Sequence, residues 1–154
     1  MTSTFPPLRA GDAVTEPRLV RILNGVRTRR LPKQEWTHGA HLVLAAALID
    51  ETGLEGAEKA APGHIRAYNE ATGVVNDDKN GYHETLTLFF LRRVARFLDA
   101  CPEPGLAEKT TRLLASPLAA ADYPLGFYSK AHLFSVAARR GWLAPDLKPM
   151  DADD

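Results

Sequence analysis

The stretch WTHGAHLVLAAALIDE, running from Trp36 to Glu51, decides the fold. From Leu42 onward it is rich in Ala and Leu and apolar on most faces. That pattern predicts a helix in the middle of a bundle, with neighbours all round. Thr37 stands where an N-cap belongs, with a hydroxyl that can accept an orphan N–H of the first turn. Gly53 is a natural C-terminal stop. The apolar run Leu42 to Ile49 is far shorter than the ~20 residues that span a bilayer, so no membrane partner is expected.

Working outward, the preceding segment reads as a first helix. Thr15 can cap it, and Glu16 and Pro17 suit its first turn. Leu19, Ile22, Leu23 and Val26 recur at helical spacing. Pro32 disfavours helix at Leu31, which predicts an end near Arg29. Residues 1–14 contain Pro6, Pro7 and Gly11 without a clear period, and are expected to form a flexible N-terminal arm.

Downstream, residues 54–72 read as a third helix closed by Gly73, with Pro62 and Gly63 predicting a kink or a split. Residues 74–80 form a polar loop. Its Asp77 and Asp78 lack the spacing and distal Glu of a calcium-binding EF-hand, so a solvated turn is expected. Asn80 or Gly81 is the expected cap of a fourth helix, which puts Glu84 in the first turn near the positive end of the dipole. Leu86, Phe90, Val94 and Phe97 make its apolar row, and Arg92, Arg93 and Arg96 are expected on a solvated face. Pro102 and Pro104 separate it from a fifth, amphipathic helix at about 105–115. Residues 116–149 are dense in Pro and aromatics and predict short turns wrapped over the bundle, capped by Ser129 and Ser135. Residues 150–154 are expected as a loose tail. The expected architecture is therefore all-α: one domain over 15–149, a bundle of about five main helices with an irregular aromatic C-terminal segment.

Composition narrows the function classes. A chain of 154 residues suits one domain with a sizeable core. Lys+Arg and Asp+Glu are 19 each, so no global basic excess points to nucleic acid. The lone Cys101 excludes an intrachain disulfide and fits a reducing cytoplasm. Met1 to Leu8 carry no basic region followed by an apolar core, so no signal peptide is read and a cytoplasmic location is expected.

The chemistry-bearing residues gather at two helix starts. His38 and His41 are three apart, on one helical face. His83 opens another long helix. If both helices start at the same end of the bundle, three imidazoles can surround one divalent ion, with Glu84 as a fourth ligand or a catalytic base for bound water. Such a set suits zinc, iron, nickel or manganese and hydrolytic or lyase-like chemistry. Adjacent His83 and Glu84 point about 100° apart on an ideal helix, which strains that arrangement. The alternative is a metal-free pocket lined by Trp36, Tyr68, Asn69 and Tyr82: either the histidines shuttle protons with Glu84 orienting one imidazole, or the pocket serves a small-molecule-binding or sensory module without chemistry. A third reading is an interaction module, with Phe127, Tyr128, Phe134 and Trp142 forming a patch for a partner or a second copy in a homo-oligomer. The sequence selects no single reaction and does not decide whether the chain is an enzyme.

Trp36-Thr37-His38 with His41-Leu42, then Tyr68-Asn69, Gly81-Tyr82-His83-Glu84-Thr85, Tyr128-Ser129 and Trp142 with Pro145-Asp146-Leu147 together carry a resemblance. Over about residues 36–147 the chain resembles a group of small uncharacterised bacterial helical proteins that share the WTHxxHL and GYHET motifs. The resemblance implies a stand-alone bacterial protein. It carries over no catalytic role.

Overall fold

The computed structural model describes residues 5–153, and all regular structure in them is helical. Helix α1 (Glu16–Arg27) is capped by Thr15 Oγ1, which accepts the Arg18 N–H, and Pro17 lies in its first turn. It buries Leu19, Ile22 and Val26. The chain then turns at Arg29, a non-glycine residue with a φ of 62°, and passes through a 3-10 turn at Lys33–Glu35.

Helix α2 (His38–Ala71) is the centre of the bundle and packs against α1, α3 (Glu84–Ala100) and α4 (Leu106–Leu114). Thr37 caps it as expected, accepting the Ala40 N–H. Its one break is at Gly53, where φ is 77° and ψ is 173°. That backbone region is essentially confined to glycine. The helix is not split at Pro62–Gly63: both residues keep helical dihedrals. Pro62 removes one helical hydrogen bond, but its fixed φ is itself helical. Burial of Ala57, Ala61 and Tyr68 anchors the helix on both sides of it.

Helix α3 is capped by His83, not by Asn80 or Gly81. Gly81 is used up in a tight turn at a φ of 76°, where a Cβ would lie 2.4 Å from Asn76 Oδ1. The imidazole takes the capping role, accepting the Leu86 N–H at Nδ1 (3.1 Å). Glu84 is therefore the first helical residue. Two short helices, α5 (Lys130–Leu133) and α6 (Val136–Arg140), follow with Ser129 and Ser135 as caps.

Four expectations about the ends and surface are corrected. Residues 5–14 are not a free arm: Leu8 and Val14 are buried, and Gly11 N–H donates to Leu114 O (2.7 Å). Residues 1–4 lie outside the described residues. The tail is held as far as residue 153. Arg93 donates to Met150 O and Ala152 O, and Arg96 pairs with Asp153. Arg93 is thus a buried clamp, 4% exposed, where a solvated charge was expected. Of the four aromatics expected as a docking patch, Phe127 and Tyr128 are buried in a second apolar cluster with Phe89, and Trp142 packs against it, leaving Phe134 exposed. Among the described residues no helix is long and apolar enough to cross a membrane.

Candidate functional site

The starts of α2 and α3 do lie at the same end of the bundle, and a pocket of about 400 Å³ opens between them. Leu44, Leu48, Ile65, Leu86, Phe90 and Leu91 form its apolar walls. His38, His41, Asn69, Tyr82, His83 and Thr87 supply its polar atoms. Among the described residues that line it there is no Asp, Glu, Lys or Arg.

The hydrogen bonds determine what each imidazole can offer. His38 Nε2 lies 2.9 Å from Leu118 O and His41 Nδ1 lies 2.8 Å from Thr37 O. A carbonyl oxygen can only accept, so those nitrogens carry the protons. The bare lone pairs are then Nδ1 of His38 and Nε2 of His41. His83 offers nothing further. Its Nε2–H donates to Leu133 O (2.9 Å) and its Nδ1 already accepts the helix N–H. Burial lowers its pKa, which keeps the ring neutral and the cap intact. Burial does the same to His41 more strongly, holding its pKa near 4.

The expected three-histidine metal site is therefore not assembled. Among the described residues, no three His, Cys, Asp or Glu side chains are grouped so as to hold a metal ion. The reason is local: His83 spends both nitrogens on folding. Glu84 does not line the pocket either. Its carboxylate accepts the Tyr82 hydroxyl, and burial, with that bond second, raises the phenol's pKa. Trp36 and Tyr68 also stand outside the wall. Trp36 stacks on His41 with ring centroids 3.7 Å apart, and Tyr68 lies behind Trp36 at 5.2 Å. They fix the ring that reaches the pocket.

The wall formed by residues 74–82 is tied down by a pair of asparagines. Asn76 Oδ1 accepts both the Tyr82 N–H (2.9 Å) and Asn69 Nδ2–H (3.0 Å), while Asn76 Nδ2 donates to Arg66 O. Arg66 lies over the Tyr82 ring at 4.3 Å, and Arg139 donates to the carbonyls of Gly81 and Tyr82. Asn76 and Arg139 were not singled out in the sequence; no spacing rule connects them to the pocket. Of the remaining histidines, His132 Nε2 donates to Ala144 O in the C-terminal wrap. His64 lines a separate depression with Arg27 and Arg29. Compared with known proteins, the chain matches no family model, no curated protein and no solved structure.

Proposed function

We propose that this protein binds a small organic molecule in the pocket between α2 and α3, without a resident metal. The carrying observation is the pocket itself: a cavity of about 400 Å³ with apolar walls and a few oriented polar groups. Ligand sites have this build, with volumes of about 300–1,000 Å³ and mostly apolar linings. Side-chain chemistry supports binding over turnover. A general base works best with a pKa near the working pH. His41, held near 4, stays an unprotonated hydrogen-bond acceptor but is a weak base. The sequence-derived alternatives of metal-assisted hydrolysis or lyase chemistry would need a third ligand that His83 is not free to give.

A screen of small organic compounds by thermal shift and by amide NMR tests the reading. Hits should raise the unfolding temperature and shift resonances of Leu48, Ile65 and Phe90. Ala45→Phe, which places a ring in the cavity, should fold and lose every hit. Hits that survive Ala45→Phe would place binding elsewhere and overturn the reading.

A further inference from the structure

The polar groups of the pocket, counted by what each has left to give, specify the ligand's chemistry. Tyr82 donates its N–H to Asn76 and its hydroxyl to Glu84. Thr87 Oγ1 donates to His83 O (2.9 Å). His83 has used both nitrogens. Asn69 must present its amino group to Asn76, because Asn76 Oδ1 is already oriented by the Tyr82 N–H. Asn69 Oδ1 therefore faces the other way. The side-chain capacity that remains is mostly of one kind: the lone pairs of His41 Nε2, His38 Nδ1 and Asn69 Oδ1, against one further N–H of Asn69.

Charge points the same way. Among the described residues, no carboxylate, ammonium or guanidinium lines the cavity. Three charged groups that touch the lining residues Gly81 and Tyr82 are engaged: Glu84 with the Tyr82 hydroxyl, Arg66 over the Tyr82 ring, and Arg139 with two carbonyls. An ion entering the pocket would lose its water without gaining a counter-charge. His41 and His83, whose pKa values burial lowers, also present no positive charge to an anion.

We infer that the pocket takes an uncharged molecule with an apolar body and a hydroxyl or N–H group, and that this group donates its proton to His41 Nε2. The inference rests on the ligand-binding reading above. His41 is the acceptor placed best to discriminate, because its ring is held on both sides: Nδ1–H on Thr37 O and one face on Trp36. A cavity of this volume holds on the order of a dozen waters, so the body is a single small ring system or a short branched chain.

A matched series reads the donor directly: 4-propylphenol, 4-propylanisole and 4-propylbenzoate, titrated by amide NMR into wild type, His41→Phe and His41→Gln. The phenol should bind about tenfold or more tighter than the anisole, since the ether leaves a buried acceptor unpaired. The benzoate should bind weakest. The preference for phenol over anisole should vanish in His41→Phe, which keeps the stack on Trp36. It should return in part in His41→Gln, whose side-chain oxygen can accept. Equal binding of phenol and anisole to wild type, or tightest binding of the benzoate, would overturn the inference while leaving a ligand pocket in place. A preference that persists in both variants would also overturn it. If none of the three shifts any pocket resonance, the ligand-binding reading falls too.

Discussion

Three histidines that look alike in the sequence have different tasks in the fold. His83 is a cap and a tie. His83→Ala should cost about 2–3 kcal/mol, combining a lost N-cap with a carbonyl left without its donor at Leu133. His83→Asn should recover the cap, and so roughly half the loss, in denaturant unfolding. His41 is a half-buried ring that desolvation holds neutral. Its folded pKa of about 4 lies below its ordinary value of 6.5, so the unfolded chain binds the proton first. The stabilisation is fully present above pH 6.5 and is lost as pH falls toward 4, by about 3 kcal/mol at 1.36 kcal/mol per pKa unit. His64 and His83 shift in the same direction, so the slope of stability against pH should shrink, not disappear, in His41→Gln. Proton titration of the His41 ring by NMR checks the assignment independently. Metal removal belongs at this scale as well. Dialysis against chelator, or equimolar zinc or nickel, should leave the unfolding temperature unmoved; one tightly held ion per chain, lost in His38→Ala, would restore the metal reading.

At the scale of elements, glycines decide where α2 bends and what it can touch. At Gly53 the backbone lies in a region that side chains rarely enter. Gly53→Ala should therefore destabilise by about 1–3 kcal/mol even though nothing lies within 4 Å of the added methyl. Gly39 has ordinary helical dihedrals but no room. Its Cβ would sit 2.7 Å from Leu8 O, the same carbonyl that accepts the Thr37 hydroxyl. Gly39→Ala should push residues 5–14 off α2, visible as faster amide exchange at Gly11 and Val14. The sequence marks Gly53 as a stop by its position after an apolar run. It gives no sign that Gly39 is a contact with a segment thirty residues away.

For the whole molecule, residues 5–14 and 150–153 are both packed against the bundle. Arg93 is buried, and its guanidinium donates to Met150 O, Ala152 O and Tyr123 Oη. Ending the chain after Pro149 removes two of those acceptors from a buried charge. The loss should be about 2–3 kcal/mol, read by chemical unfolding, at 1.5–3 kcal/mol for a typical hydrogen bond to a charged group. Arg93→Met in the full chain should cost less than the truncation, because it removes the charge along with its bonds.

Periodicity, caps and breakers were enough to read the all-helical architecture from the sequence. Leu19, Ile22 and Val26 recur with the helical turn, Thr15, Thr37, Ser129 and Ser135 cap where short-range chemistry puts them, and Gly53 and Gly73 take positive φ. These are local effects within a few residues, which is why they are legible in one dimension. Of the two motifs, His38, His41, Tyr82 and His83 line the pocket, while Trp36 and Glu84 do not. Their roles came only from tertiary structure. Whether an imidazole is a ligand, a cap or a free acceptor depends on which distant carbonyl stands beside it: Leu133 for His83, Leu118 for His38. The burial of Arg93 and the docking of both ends likewise depend on partners far along the chain. Long-range packing decides how each polar group is satisfied, which is why the sequence alone left a metal site and a metal-free pocket both open.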